Sequence, residues 1–340
     1  MTRIAAIDCG TNSLRLLITD CVNSPDGTLS LHEVSQRMEI VRLGQGVDRT
    51  GELAADALAR TDVALQGFAE ELAAQRVEQV RVVATSALRD VRNAQAFVDM
   101  VCCRLGVVPE IISGQAEAAL AFGGATRGLS EAEYPCPRWV IDIGGGSTEM
   151  VNQPIGGDEL RAVSMDVGAV RLTERWFQHD PPTDAQLTGA RGDVAAALGH
   201  AFQNRAAPEH APQDRGGVGT VIGVAGSVTT VAAIALGLTS YQPDRLHHVR
   251  LDAAVVSRIA ADLLVSSRAE REANPAIHPG RVGVIAAGAL ILDEVLRWLG
   301  ASELVVSERD ILHGITYGML ADITRFHHKT LLPEDRVVAP

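Results

Sequence analysis

The sequence has no apolar run long enough to cross a bilayer, so nothing in its 340 residues reads as a membrane-spanning helix and no membrane partner is expected. It also lacks a basic stretch followed by an apolar run and a cleavage site near its start, and no secretory signal is expected. Its five cysteines, Cys9, Cys21, Cys102, Cys103 and Cys136, are odd in number and have neither metal-binding nor disulfide spacing. That argues against a disulfide scaffold or a cysteine-held metal module, and reduced thiols in a cytoplasmic protein are expected. Positive charge is short as well: 42 Asp and Glu against 30 Lys and Arg give a net charge of −12. A broad nucleic-acid surface needs a basic field, so nucleic acid is not an expected partner. An anionic substrate is not excluded, because a few placed arginines and metal ions can bind phosphate inside an acidic protein. What is present is 46% hydrophobic residues, enough for a sizeable core, in a length that suits two domains.

One pattern occurs twice. Ile7-Asp8-Cys9-Gly10-Thr11-Asn12-Ser13 and Ile141-Asp142-Ile143-Gly144-Gly145-Gly146-Ser147-Thr148 share Ile-Asp-x-Gly-x-x-Ser, 134 residues apart. Apolar residues flank each copy, which predicts strand, tight turn, strand. A turn rich in Gly and hydroxyl residues lets backbone N–H groups point at a phosphate without Cβ obstruction. The aspartate before it suits a metal ion or its water. The same aspartates also suit turn stabilisation through hydrogen bonds to the backbone. Consecutive glycines are costly in entropy; close approach to a ligand explains them, and a tight hairpin gives the same pattern.

Along the chain, residues 1–20 and 29–43 read as strands around a Pro25-Asp26-Gly27 turn, 52–75 as a helix, and 80–84 as a buried strand. A helix over 93–105 stops at Gly106, followed by a strand over 107–112 and a helix over 115–122. Pro135-Cys136-Pro137 reads as a linker. In the second half, 139–151 and 161–166 read as strands, 184–202 as a helix, 203–217 as a surface loop, and 220–224 as a strand. Helices over 252–266 and 282–299, a strand over 304–306 and a closing helix over 311–326 complete the chain. Strands and helices alternate around a duplicated core, so the class is α/β. His247-His248 and His327-His328 lack metal spacing and read as surface residues.

The ordered series of segments resembles one family. It comprises Asp8 to Ser13; Arg42-Leu43-Gly44; Ala84 to Arg89; Ile112-Ser113-Gly114 with Glu117-Ala118; Asp142 to Glu149; Gly168 to Glu174; Gly223 to Thr229; Ala287-Gly288-Ala289; and Ser307 to Asp310. In these the chain is similar to the exopolyphosphatase / guanosine pentaphosphate phosphohydrolase family, within the actin-like and sugar-kinase-like ATPase superfamily. The resemblance covers nearly the whole chain. It implies the compact form of the family, two actin-like (ribonuclease H-like) lobes facing each other across a cleft. Lobe I is expected over 1–125 and lobe II over 126–310, with the closing helix returning to lobe I. It also implies a homodimer.

Hydrolysing a phosphoanhydride needs a positioned water, a base for its proton, and positive charge around the transferred phosphoryl group. The resemblance makes Glu117 the base; from the residues alone it reads as a solvated helix glutamate. The family often has two glutamates in succession here, whereas this chain has Ala116 and then Glu117. Asp142 and Glu149, with Asp8 as the first-half counterpart, are the expected ligands of Mg²⁺ or Mn²⁺. Gly10, Thr11, Asn12 and Ser13, with Gly144, Gly145, Gly146, Ser147 and Thr148, are expected to line the phosphate cradle. Arg89, at the end of a strand-to-loop segment, is the expected phosphate-binding arginine, and Arg171 is expected on phosphates further along a chain. Arg15 and Arg42 are further candidates, since a guanidinium fork matches phosphate geometry. Gly223 to Thr229 reads either as a contact to distal phosphates or as a packed helix N-terminus. His313 stands where relatives often carry an acidic residue, an effect expected on packing. The implied activity is exopolyphosphatase, with guanosine pentaphosphate hydrolysis as the alternative. A nucleotide-dependent kinase and a non-hydrolytic sensor are the other readings.

Overall fold

The computed structural model describes residues 2–23, 29–89, 91–156, 159–203 and 218–331. The Pro25-Asp26-Gly27 turn, nearly all of the 203–217 segment and the side chains of His327 and His328 lie outside what is described. Among the described residues, no helix is long and apolar enough to cross a membrane.

Two sheets carry the fold. The first half runs β1 (Thr2–Cys9), β2 (Ser13–Asn23), β3 (Leu29–Ile40), α1 (Val47–Thr50), α2 (Ala55–Ala74), β4 (Gln79–Ala84), α3 (Ser86–Arg89), α4 (Ala94–Leu105), β5 (Glu110–Ile111) and α5 (Gly114–Thr126). The second runs β6 (Arg138–Ile143), β7 (Thr148–Gln153), β8 (Arg161–Met165), α6 (Ala169–Trp176), α7 (Asp184–Gln203), β9 (Thr220–Val224) and α8 (Ala225–Ala235). It continues through α9 (Pro243–Leu246), β10 (Arg250–Asp252), α10 (Ala253–Val265), α11 (Arg268–Ala273), α12 (Ile285–Leu299), β11 (Glu303–Val306) and α13 (Ile311–Leu331). The strand orders are β3-β2-β1-β4-β5 and β8-β7-β6-β9-β11-β10. Each sheet opens with an antiparallel meander and then adds a parallel strand beside the first, β4 on β1 and β9 on β6. The sequence repeat is therefore a repeat of topology, with β10 added at one edge.

Local chemistry sets the boundaries. From Ile4 to Cys9 every residue is buried, as a central strand covered on both faces requires. Ala57, Thr61, Leu65, Phe68 and Leu72 place one buried face along α2. Gly106 ends α4 in the left-handed region at φ 70°, where a glycine carries no Cβ penalty. The strand expected over 107–112 shrinks to Glu110–Ile111, because Pro109 has no N–H for a ladder. The helix expected from Val282 begins at Ile285, after a 3₁₀ turn over Pro279–Arg281.

Two helices cross between the sheets, each on the sheet of the other half. Ala118, Phe122 and Ala125 of α5 pack on Val140, Val151, Ile222 and Val305 of the second sheet. Ile311, Leu312, Ile315 and Met319 of α13 pack on Ile4, Ala6, Leu17 and Val83 of the first. Where they cross, a Cβ on Gly124 would lie 1.8 Å from the Asp310 carbonyl oxygen, and one on Gly314 would lie 2.0 Å from that of Leu120. Only glycine permits that approach. Ser113 caps α5 and so fixes where Glu117 stands; its hydroxyl accepts from the N–H of Ala116 at 3.2 Å.

Candidate active site

The two glycine turns have the same geometry. Gly10 N donates to the Ser13 carbonyl at 3.0 Å, and Gly144 N donates to that of Ser147 at 3.0 Å. They meet at one cleft, lined by Gly10, Thr11, Asn12, Ser13, Gly144, Gly145 and Ser147 together with Asp8, Glu117 and Asp142. The turns also touch. A Cβ on Gly145 would lie 2.9 Å from Thr11 Cβ, and one on Gly146 would lie 2.7 Å from both Thr11 Oγ1 and Ser86 Oγ, hydroxyls 2.8 Å apart. Contact between the turns therefore accounts for Gly145 and Gly146 with no ligand present. Thr148 points elsewhere: its buried hydroxyl donates to the Val167 carbonyl at 2.6 Å.

Charge separates the hairpins. Asp8 sits opposite Arg15 on β2, and Asp142 opposite Glu149 on β7. Arg15 donates to Asp8 Oδ2 through Nη2 at 2.8 Å and Nε at 3.1 Å, and through Nη1 to Asp310 at the entrance to α13. Burial raises the pKa of Asp8 even so, with Arg15 opposing. Asp8 Oδ1 is buried without a hydrogen-bond partner.

Asp142 and Glu149 have no ion pair among the described residues, although Arg15 acts on Asp142 from a distance. Glu149 is 1% exposed; its Oε1 accepts from Ser164 Oγ at 2.7 Å, and its Oε2 is buried and unpartnered. Burial pushes both carboxyls well above the usual range, reinforced at Asp142 by Asp310 and Glu117 and at Glu149 by Glu117 and Asp142. Among the described residues, no three His, Cys, Asp or Glu side chains form a ready metal cage.

Glu117, in the first turn of α5, is 8% exposed, and its pKa is raised to about 7 by burial, against the pull of Arg89. Arg89 Nη1 donates to Glu117 Oε2 at 2.7 Å and to the Ile112 carbonyl at 3.3 Å, and Nη2 reaches Ser147 Oγ at 3.4 Å. Arg89 ends the short helix α3 rather than a strand-to-loop segment. The carboxylate, the guanidinium and the second glycine turn thus form one connected unit.

The sequence that folds this way matches a known family. The profile of the Ppx/GppA phosphatase family covers residues 22–323. The chain belongs to the Ppx/GppA phosphatase family. It is 42% identical over 329 residues to exopolyphosphatase 2 of Mycobacterium tuberculosis, across 94% of this chain and 99% of that one. An exopolyphosphatase-like protein of known structure superposes with a TM-score of 0.86 at 37% identity, covering 95% of this chain and 100% of its own. A crystallised exopolyphosphatase from Cytophaga hutchinsonii does so with a TM-score of 0.80 at 26% identity, covering 94% and 98%. The fold is therefore the actin-like fold of Ppx/GppA proteins.

Within that fold several candidates stand apart from the cleft. Arg171 pairs with Asp48 at 3.3 Å and Asp166 at 3.1 Å and is not among the cleft-lining residues. Arg42 has an exposed side chain, while its N–H supports the first turn by donating to the Asn12 carbonyl at 2.9 Å. Ala225, Gly226 and Ser227, at the start of α8, line the cleft, whereas Gly223 packs against Val228 and Leu304. His313 Nε2 lies 3.0 Å from Glu33 Oε1 and ties α13 to β3, a packing role. His247 is half-buried rather than a free surface residue, and its Nδ1 accepts from Glu308 N at 3.2 Å.

Arg281 was not singled out from the sequence. It lines the cleft, donates to the Gly226 carbonyl at 3.1 Å, and has no carboxylate at ion-pair distance among the described residues. No short motif surrounds it, so only the folded chain shows its place.

Proposed function

We propose that this chain is an exopolyphosphatase: it hydrolyses the terminal phosphoanhydride bond of inorganic polyphosphate and releases orthophosphate. The observation that carries the reading is the position of Glu117, buried at the junction of two glycine turns with its pKa raised to about 7. A carboxylate of that basicity accepts a proton near neutrality, as a general base must.

The chain end lies in the cleft against the backbone of both turns. Glu117 takes a proton from a water whose oxygen forms the new bond to the terminal phosphorus. The bridging P–O bond breaks, and its electron pair leaves with the shortened polyphosphate. Arg89 fixes Glu117 through its hydrogen bond, and its second amino group, 3.4 Å from Ser147 Oγ, is the one that would reach the transferred oxygens beside that turn. Asp142 and Glu149 are the residues that would hold a divalent cation. Their fit is supported by the unpartnered Glu149 Oε2 and by two buried carboxyls that form no ion pair among the described residues. Two carboxylates without a cage suit Mg²⁺, which keeps waters and takes phosphate oxygens as its other ligands, and Mn²⁺ binds the same donors. Such an ion supplies neutralisation of the phosphoryl oxygens. Asp8 is committed mainly to Arg15, with Oδ1 buried and unpartnered.

A second reading, hydrolysis of guanosine pentaphosphate, is favoured by one observation. A cavity of about 420 Å³ adjoins the cleft at Arg15, Gly226 and Arg281, with Met38, Ile277 and Tyr241 among its walls. That volume suits a nucleoside. The lobe division proposed is 1–125 with the closing helix, and 126–310. The five unpaired cysteines suit a reducing cytoplasm. A homodimer completes the proposal, to be tested by light scattering against the 36.0 kDa chain.

The functional test offers long polyphosphate, short polyphosphate, guanosine pentaphosphate and ATP with Mg²⁺, and measures orthophosphate. Preferential release from polyphosphate supports the first reading, and release from guanosine pentaphosphate alone supports the second. Binding without release from any of them overturns both.

A further inference from the structure

Asp142 on β6, Glu149 on β7 and Ser164 on β8 are directly paired across three antiparallel strands. Residues paired in this way share one face of a sheet. In the first sheet the same row reads Asp8, Arg15 and Met38. Ser164 therefore extends the row of the two carboxylates, and its hydroxyl donates to Glu149 Oε1 at 2.7 Å.

Ser164 has a second contact. The first turn of α5 lies on it: a Cβ built on Gly114 would come within 2.3 Å of Ser164 Cβ and 2.4 Å of its Oγ. Gly114 is three residues before Glu117 on that helix. One side chain thus touches both the Glu149 carboxylate and the element that carries Glu117. Ser147 also lowers the cost of ionising Glu149, but without the Ser164 hydrogen bond Glu149 would face repulsion from Glu117 and Asp142 with less to fix the rotation of its carboxyl group. With it, Oε1 is occupied and Oε2 is left unpartnered.

We propose that Ser164 is a positioning residue that holds Glu149 so that Oε2 is presented to a divalent cation. The proposal rests on the reading that Glu149 holds the cation. Ser164 lies on the edge strand and is solvent-accessible, so Ser164→Ala removes the donor without opening a core cavity.

The test is a Mn²⁺ titration without polyphosphate, followed by the electron paramagnetic resonance signal of free Mn²⁺. It is run on the wild type, Ser164→Ala and Glu149→Gln. We expect Ser164→Ala to weaken Mn²⁺ binding about tenfold, the scale for partners that orient metal ligands. Its kcat should fall at fixed Mn²⁺ while KM for polyphosphate stays unchanged, and Glu149→Gln should lose most Mn²⁺ binding. Wild-type affinity in Ser164→Ala, with binding lost in Glu149→Gln, overturns the role of Ser164 and leaves the cation assignment standing. Wild-type affinity in Glu149→Gln overturns that assignment and this proposal together.

Discussion

Opposite the turn aspartate, the first hairpin carries Arg15 and the second carries Glu149. Strand pairing, turn hydrogen bond and burial are otherwise alike. The first hairpin is internally neutralised and, through Asp310, fastened to the entrance of α13. The second keeps two buried carboxyls whose ionised form is costly, beside a third on Glu117. Ionising such a cluster opposes folding, and a bound cation would relieve that cost. The comparison teaches that duplication supplied two phosphate-facing turns, and that one cross-strand position divided their tasks. One side ties β1 and β2 to the entrance of α13, and on the proposed mechanism the other gathers cation and base.

Making the hairpins alike tests this division most severely. Glu149→Arg copies the first hairpin into the second. It should remove Mn²⁺ binding and lower kcat about 10³-fold, the scale of several kcal/mol of lost charge stabilisation. Turnover near that of the wild type would break the comparison.

The pH dependence sharpens it at the base. On the proposed mechanism Glu117 works as the carboxylate, so kcat/KM should fall as pH drops below about 7, about tenfold per unit. A profile flat down to pH 5 would remove Glu117 from the role.

On the first hairpin, Arg15→Met leaves Asp8 and Asp310 buried without their shared partner. A loss of about 3 kcal/mol is expected, seen as a lower midpoint in thermal or urea unfolding. An unchanged midpoint would mean that this hairpin is not the fastening side.

The smallest effect is on the metal-free protein. A carboxyl whose folded pKa is raised binds its proton more readily folded than unfolded. Its ionisation therefore opposes folding above the raised pKa, and the penalty is relieved as pH falls toward the ordinary carboxylate range. Glu149→Gln should accordingly raise the metal-free Tm at pH 8 by about 1–2 degrees, the shift expected from about 1 kcal/mol in a chain of this length, and by less at pH 6. Calorimetry with and without Mg²⁺ decides this, and a lower Tm at pH 8 counts against an uncompensated cluster.

Much of this was legible in the chain. The repeated Ile-Asp-x-Gly-x-x-Ser pattern carries both hairpins, because turn chemistry and strand alternation are local. Glu117 needed the resemblance, since an isolated helix glutamate usually faces water. Contacts far apart in sequence were not legible. The Arg15–Asp310 pair spans 295 residues, and the exchange of α5 and α13 depends on Gly124 and Gly314 meeting at a crossing that no periodicity marks. The glycines of the second turn had the right residue type, yet for Gly145 and Gly146 the fold adds contact with Thr11 as a reason. Arg171, read as a phosphate ligand, is found on Asp48, a residue of α1 in the first half.

Equilibrium polyphosphate binding and orthophosphate release, measured on the same preparation of Glu117→Gln with Mg²⁺, test the central claim most directly. The account predicts binding close to wild type and release lowered by about 10³-fold, because the variant keeps both turns and the Asp142–Glu149 pair but has no base. Release at the wild-type rate would contradict it.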